Sequence, residues 1–368
     1  MAITKIEGNI MKYLKPAQRS PHGGPPGYPA PRPLAGAAAL VIAALLAVPG
    51  PASATHRSFA LARNWSTIPF YGTYGTFFGD VDGDGKADAI GVNDDHVWYR
   101  LSDGCYFGAN QWLTNTPFRG ELGTYFADVT GDGKVDPIAN NGNGVIVRRS
   151  EDGKKVVWYR GGLSTNTTFA DVNGDGKADA VESDGTSVYV MLSNGVDEFQ
   201  GPRSWTFTLP PTYATRGVYF ADVDGDKRAD AIYVNDDSII VRRSVKDRLL
   251  FGPEERWSDY PYYGQIMNTF VDMTGDRLAD AVAVSYFGIA VRDSVRTAFR
   301  GLNADYEITE GGTAIAKWGL WTRDGFYGSR QTSFADVDGD WDADAIAVND
   351  DGVWVRKANY NHDLYGCS

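Results

Sequence analysis

Six times along the chain, a short aromatic-led apolar stretch runs into nine residues of acids and glycine and emerges into an apolar stretch of small and β-branched residues. The first stretches are Thr76-Phe77-Phe78, Thr124-Tyr125-Phe126, Thr167-Thr168-Phe169, Val218-Tyr219-Phe220, Asn268-Thr269-Phe270 and Thr332-Ser333-Phe334. The segments that follow the acidic runs, such as Ala87 to Val92 and Ala343 to Val348, suit strands buried on both faces. A turn signal comes next, as in Asn93-Asp94-Asp95, Asn235-Asp236-Asp237 and Asn349-Asp350-Asp351. A third strand is predicted at Val97 to Leu101, Val145 to Arg149, Val188 to Leu192, Ile239 to Arg243, Ile289 to Asp293 and Val353 to Lys357. A fourth centres on Trp112, Trp158, Trp205, Trp257 and Trp321.

Four short antiparallel strands in a unit of about 40–50 residues make one blade of a β-propeller. A lone blade leaves both faces uncovered, whereas blades packed round an axis cover one another. The pattern therefore predicts an all-β protein, a six-bladed β-propeller of four-stranded antiparallel blades. The last interval between acidic runs is the longest, and its extra residues, between Arg296 and Gly319, read as a loop insertion. One Trp-led strand, around Trp65, precedes the first acidic run, and the final unit ends at Tyr365-Gly366 before any such strand. Phe59 to Ile68 is therefore expected to supply the outer strand of the last blade and so join the two ends of the chain.

The acidic runs carry the chemistry. In the first, Asp80, Asp82, Asp84 and Asp88 occupy positions 1, 3, 5 and 9, and Gly85 at position 6 permits the sharp turn that folds their oxygens toward one point. A hard cation with six to eight oxygen ligands, Ca2+, fits such a point, with the Lys86 carbonyl at position 7 as a further ligand. The closing acid comes three residues earlier than in an EF-hand loop. The other candidate ligand sets are Asp128, Thr130, Asp132 and Asp136; Asp171, Asn173, Asp175 and Asp179; Asp222, Asp224, Asp226 and Asp230; Asp272, Thr274, Asp276 and Asp280; and Asp336, Asp338, Asp340 and Asp344. Up to six Ca2+ are expected. Lys227, Arg277 and Trp341 replace the glycine at position 6, and Thr130 and Thr274 replace an acid. The fifth loop departs at both positions and should be weakest; the first and third look best formed.

Charge and composition narrow the partners. The chain carries −12 over 368 residues, and its first 54 hold Lys5, Lys12, Lys15, Arg19 and Arg32 against the single acid Glu7, so the repeat region is more acidic still. That argues against nucleic acid. Residues 1–54 read as a leader. The apolar run Ala35 to Val48 follows basic residues and precedes Ala52-Ser53-Ala54, a small-residue cleavage pattern. Residues 55–368 then form a single secreted propeller domain with no membrane span. Cys105 and Cys367 fall near equivalent rim positions of adjacent blades, which are expected to lie too far apart for a bridge.

The stretch Phe169 to Ala180, with sequence Phe-Ala-Asp-Val-Asn-Gly-Asp-Gly-Lys-Ala-Asp-Ala, resembles the core of the FG-GAP/VCBS repeat. Phe107-Gly108, Phe251-Gly252 and Tyr365-Gly366 match the Phe-Gly half of its signature, while the Gly-Ala-Pro half is absent. The resemblance extends over nearly all of the chain after residue 58. It implies a calcium-loaded propeller of the kind found in integrin α chains and in certain fungal and bacterial lectins.

Three functions compete. The first is a binding module for carbohydrate or a cell-surface glycoconjugate. The third strands alternate an aromatic or aliphatic residue with Arg, and Trp98 with Arg100 and Trp354 with Arg356 are the candidate ligand-binding pairs. The same alternation also suits packing between blades. The second is an integrin-like scaffold for an extracellular protein ligand. The third, a polysaccharide-cleaving enzyme, has little support. No nucleophile elbow, zinc-protease motif or phosphate loop occurs, and the acids outside the repeats that could pair are Asp305, Glu307 and Glu310 in the insertion.

Overall fold

The computed structural model describes residues 58–66, 68–184, 187–206, 213–246, 248–300, 306–308, 314–316, 320–322 and 324–358. The leader and Cys367 lie outside them. Among the described residues no helix is long and apolar enough to cross a membrane.

The strands form six antiparallel blades. Blade 1 comprises Gly75–Gly79, Asp88–Val92, Val97–Arg100 and Gln111–Thr114. Blade 2 comprises Gly123–Ala127, Asp136–Asn141, Gly144–Arg148 and Lys155–Tyr159. Blade 3 comprises Thr167–Ala170, Asp179–Ser183, Val188–Met191 and Arg203–Ser204. Blade 4 comprises Gly217–Ala221, Asp230–Val234, Ile239–Arg242 and Glu255–Ser258. Blade 5 has Met267–Val271, Asp280–Ser285 and Gly288–Arg292, and among the described residues its fourth position is marked by a bridge from Leu320 to Ala290. Blade 6 has Gln331–Ala335, Asp344–Asn349 and Gly352–Arg356.

The fourth strand of blade 6 comes from the other end of the chain. Arg63–Asn64 pairs antiparallel with Gly352–Arg356, placing Arg63 opposite Val355 and Asn64 opposite Trp354. Ala60 N–H donates to Lys357 O and Trp65 N–H to Val353 O, each at 2.8 Å. The expected closure of the ring is thus present. The insertion in blade 5 forms a small hairpin, Tyr306–Ile308 against Ala314–Ala316; Asp305 and Glu310 lie outside the described residues.

The core is divided into six wedges, one between each pair of neighbouring blades. This explains the composition of the second strands: every residue of Asp88–Val92, Asp230–Val234 and Asp280–Ser285 is buried, because each lies inside a blade covered on both faces. A Trp–Phe pair pins most wedges. Trp65, Trp158, Trp205 and Trp257, from the fourth strand of one blade, meet Phe107, Phe199, Phe251 and Phe299 of the next, with ring centroids 5.1–5.4 Å apart. In each pair the Phe N–H donates to the Trp carbonyl. Trp321 of blade 5 meets Phe59 instead, at 5.2 Å. The phenylalanine of the Phe-Gly signature is therefore a peg for the preceding blade.

Trp112 departs from the sequence reading. In blades 2 and 4 the pinning Trp is the extra residue of a bulge, and in blade 1 the bulge residue is Leu113. Trp112 stands one position earlier, points to the opposite face of its blade and is 54% exposed. Cys105 also departs, for it is disulfide-bonded. Its turn is anchored to the preceding blade: the Ser102 hydroxyl donates to Val337 O, and a Cβ on Gly104 would lie 3.5 Å from Asp338 O. Rim turns thus approach the neighbouring blade more closely than the repeat spacing implies.

Candidate functional site

Each acidic run lies between the first and second strands of its blade, so all six loops gather on one face of the ring. Their geometry repeats. The position 1 carboxylate accepts N–H bonds from positions 4 and 6: Gly83 and Gly85 to Asp80, Gly131 and Gly133 to Asp128, Gly174 and Gly176 to Asp171. In loops 4, 5 and 6 the position 6 donors are Lys227, Arg277 and Trp341. These three hold φ of 69°, 68° and 77°, a left-handed conformation that costs a side-chain-bearing residue about 1 kcal/mol. The turn is therefore kept where its glycine is lost.

The position 9 carboxylate is the most buried. Asp136, Asp179, Asp230, Asp280 and Asp344 are 0% exposed and Asp88 is 1%. One oxygen accepts the position 2 N–H, and the other accepts an N–H from the end of the third strand, as Val81 and Ser102 give to Asp88. Acid oxygens of positions 1, 3 and 9 lie within 4.8 Å of one another in three loops: Asp80, Asp82 and Asp88; Asp222, Asp224 and Asp230; and Asp336, Asp338 and Asp344. In loops 2, 3 and 5 position 3 is Thr130, Asn173 and Thr274.

Crowding of buried carboxylates raises their pKa values. Burial lifts Asp88 to about 7, with Asp82 and Asp80 adding repulsion. Burial lifts Asp136, Asp222, Asp272 and Asp336 to about 6. Asp340 reaches about 8 through burial and then the charge of Asp338. In the three loops whose acid oxygens converge, such a set suits a divalent cation, for basic side chains reach one acid of each, as Lys86 reaches Asp84, Arg228 reaches Asp226 and Lys357 reaches Asp338, and the mutual repulsion of the rest remains.

The loops are also joined in a ring. The position 1 carbonyl of every loop accepts an N–H from position 8 of the next: Val135 to Asp80, Ala178 to Asp128, Ala229 to Asp171, Ala279 to Asp222, Ala343 to Asp272 and Ala87 to Asp336, all at 2.7–2.8 Å. The last of these spans blade 6 to blade 1, so the circuit is closed.

The third-strand arginines face inward. Arg100 is 5% exposed, lies 4.7 Å from the Phe70 ring centroid and donates to Asn110 Oδ1 and Ser66 Oγ. Arg356 lies over Phe326 at 5.0 Å and pairs with Asp324. Both fasten wedges, and neither stands beside its Trp as a joint surface. Trp354 is half-buried against the blade 5–blade 6 wedge, with Nε1 donating to Asp351. Trp98 is placed differently. It stacks on Trp112 with centroids 3.8 Å apart and planes 29° from parallel, and His96 meets both rings edge-on at 4.8 and 4.6 Å. On the other face of the same strand pair, exposed Gln111 accepts from the Tyr99 hydroxyl at 2.9 Å. The sequence reading missed Trp112 as a surface residue; its signal is the absence of a phenylalanine from the third-to-fourth-strand turn of blade 2, Arg149 to Lys154.

A propeller of six blades, each with an Asp/Gly loop in the same register, defines the class. Residues 171–233, from the blade 3 loop into the second strand of blade 4, match the FG-GAP-like repeat family, so the six-bladed β-propeller carries an FG-GAP-like repeat in that stretch. The chain has no match among curated proteins. Among solved structures it is similar to an Agrocybe aegerita lectin described as specifically recognising non-reducing terminal N-acetylglucosamine, with 21% identity over 74% of this chain and 73% of that chain and a TM-score of 0.53. It is also similar to part of the Photorhabdus luminescens Tc holotoxin pore, with 18% identity over 83% of this chain and 15% of that chain and a TM-score of 0.58. At these identities the likeness is one of fold.

Proposed function

We propose that this chain is an exported, calcium-stabilised propeller that binds carbohydrate, and that the stacked Trp98–Trp112 pair on blade 1 is its sugar platform. The exposed pair carries the reading. Aromatic rings in a wedge need a packing partner, and among the described residues the ring partners of Trp112 are Trp98 and His96. Its open face offers flat apolar area to the C–H face of a pyranose, and exposed Asp95, paired with the His96 that meets both rings, is the polar group at hand for hydroxyl groups. Pockets of this kind combine an apolar floor with a few polar groups. The Agrocybe aegerita lectin, a propeller of similar fold, is described as recognising a terminal sugar, which supports the same class of ligand here. Calcium acts as a structural ion on the loop face, consistent with export to calcium-rich surroundings.

The test is a glycan-array screen in millimolar Ca2+, followed by titration of the best ligand. Trp112→Ala should weaken binding at least about tenfold, because stacking on an aromatic is worth roughly 1–3 kcal/mol, and should leave the melting temperature within about 1 °C. Undiminished binding by Trp112→Ala would remove the platform from the site.

A second reading, a scaffold for an extracellular protein, rests on the face opposite the loops. There the connections between blades expose Tyr71, Tyr74, Tyr260 and Tyr327, and the blade 5 turn exposes Tyr286 and Phe287. Binding that survives Trp112→Ala and fails on mutation of Tyr286 would favour it.

A further inference from the structure

Antiparallel strands reverse direction at every turn, so the turn between the third and fourth strands of each blade shares a face of the ring with the acidic loops. Each such turn also rests on the loop of the preceding blade. A Cβ on Gly195 would lie 3.2 Å from Thr130 O, one on Gly104 would lie 3.5 Å from Asp338 O, and Arg296 Nη1 donates to Asp224 O at 2.7 Å. The loops abut one another in the same order, with Leu278 against Gly225 and Asp342 against Gly275. Loops and turns therefore make one continuous surface, and its charge is divided.

The turns of blades 1 and 3 expose Asp103, Asp197 and Glu198. The turn of blade 2 is balanced, for Glu151 and Asp152 pair with Arg149 and Lys154. The lysines of the first and third loops are half-buried and held by acids, Lys86 by Asp84 and Lys177 by Asp175. On blades 4 and 5 the sign reverses. Their turns expose Lys246, Arg248 and Arg296, and position 6 of their loops exposes Lys227 and Arg277. Asp276 is exposed among them, as is Glu254, which pairs with Arg242; Asp247 lies outside the described residues.

The backbone marks the same division. Among the described residues five that bear side chains hold a left-handed φ: Lys227, Leu249, Arg277, Arg296 and Trp341. All five lie on this face in blades 4 to 6. Blades 1 to 3 put glycine at the matching places, Gly85, Gly133 and Gly176 in the loops and Gly104 and Gly195 in the turns. Arg296 N–H donates to Ser294 Oγ as Gly104 and Gly195 donate to Ser102 and Ser193. Side chains stand here in a strained conformation that glycine would relieve, and such strain collects at surfaces with a role.

A face that is acidic on one half and basic on the other is complementary to itself. A two-fold axis in the plane of contact, running along the boundary, sets blade 4 of one copy over blade 3 of the other, blade 5 over blade 2 and blade 6 over blade 1. Lys246 and Arg248 then meet Asp197 and Glu198, and exposed Trp341 comes over the blade that exposes Tyr106. We propose that two copies of this chain associate through their loop faces in a symmetric dimer selected by this charge pattern. The Trp98–Trp112 platforms lie at the strand ends remote from the loops, so the dimer presents two of them, pointing apart. That consequence rests on the carbohydrate reading; the association does not.

The test is sedimentation velocity of the full chain in millimolar Ca2+, over a range of protein and NaCl concentrations. A dimer should form at about 50 mM salt, and its Kd should rise at least about tenfold by about 500 mM, because salt screens ionic contacts. The variants Lys246→Glu/Arg248→Glu and Asp197→Lys/Glu198→Lys should each be monomeric at low salt. Both should melt close to the wild type, since all four side chains are exposed. Mixed one to one, the two variants should dimerise, each supplying the charge the other has lost. Trp112→Ala should dimerise like the wild type whatever it does to sugar binding. A wild type that stays monomeric under every condition overturns the proposal, as does a dimer indifferent to salt and to both variants, or a mixture that stays monomeric. A monomeric wild type held by a heparin column, and released by Lys246→Glu/Arg248→Glu, would give the basic half to a polyanion instead.

Discussion

In chelator the protein should melt about 10 °C or more below its melting temperature in millimolar Ca2+, and the chelated form should become more stable as the pH falls from 8 to 5. The first part follows from binding arithmetic. Extracellular calcium modules bind at roughly 10⁻⁴ to 10⁻³ M, and at about 10⁻³ M Ca2+ a site with Kd near 10⁻⁴ M stabilises the folded state by about 1.4 kcal/mol. Four to six such sites contribute about 6–8 kcal/mol, and each kcal/mol moves the melting point of a large domain by about 2 °C. The pH dependence follows from the raised carboxylates. Asp88 near 7, Asp340 near 8 and the group near 6 all hold protons more tightly folded than unfolded. Their folded pKa values lie above the unfolded ones, so they stabilise at low pH, and that stabilisation is lost as the pH rises through about 6–8. Bound Ca2+ needs the ionised acids and should reverse the trend. Mg2+ should substitute poorly, because it demands tighter octahedral geometry. Differential scanning fluorimetry across pH 5–8, in chelator, Ca2+ and Mg2+, checks each part; coincident curves in chelator and Ca2+ would falsify the calcium reading.

Trp65→Ala should destabilise the fold by about 3–5 kcal/mol, the usual cost of deleting a fully buried large aromatic. Trp65 is 1% exposed, packs at a tilt against Phe107 with centroids 5.4 Å apart and accepts the Phe107 N–H through its carbonyl. It also sits on the strand that closes the ring. Removing residues 58–66 should go further, because it bares the edge of Gly352–Arg356 and offers that strand's unpaired backbone groups to other chains. Urea unfolding should show the lower midpoint for Trp65→Ala, and light scattering the association of the truncated form. A truncated chain that melts like the full one would show that the hydrogen bonds to Lys357 and Val353 contribute nothing.

The blade count, the loops and the union of the two ends were legible because each rests on a local pattern repeated six times. Where reading failed, the cause was contact between repeats. Trp112 looked like its counterparts because a tryptophan is expected in each fourth strand. A bulge shifts the register by one residue, so Leu113 takes the inward place, and nothing local distinguishes the two. Arg100 and Arg356 alternate with aromatics as a ligand surface would, yet the alternation serves the wedges, where Phe70 and Phe326 receive them. The disulfide of Cys105 depends on how a rim turn seats against the preceding blade. Asp342 was visible as one more acid in an alternating run, but Gly275, which it faces, stands 67 positions earlier and meets it only across a junction.

The absence of a peg between blades 1 and 2 has a mechanical consequence. That wedge holds the fewest buried apolar residues of the six and no Trp–Phe pair. The Ser150 hydroxyl, whose counterparts Ser102, Ser193, Ser244 and Ser294 reach the carbonyl of the preceding blade, turns back to Asp132 and Asp136 of its own loop. What ties the two blades is the Val135–Asp80 hydrogen bond, the Phe77–Phe126 contact, Lys155 against Thr116 and Phe118, Lys134 against Gly83, and the rest of a small wedge. A closed ring cannot loosen at one junction without straining the others, so slack collects where the restraint is least. The fault line of this ring is therefore an interior junction, while the place where the chain's two ends meet is among its most firmly stitched, and the tryptophans of blade 1 stand beside the joint that yields first.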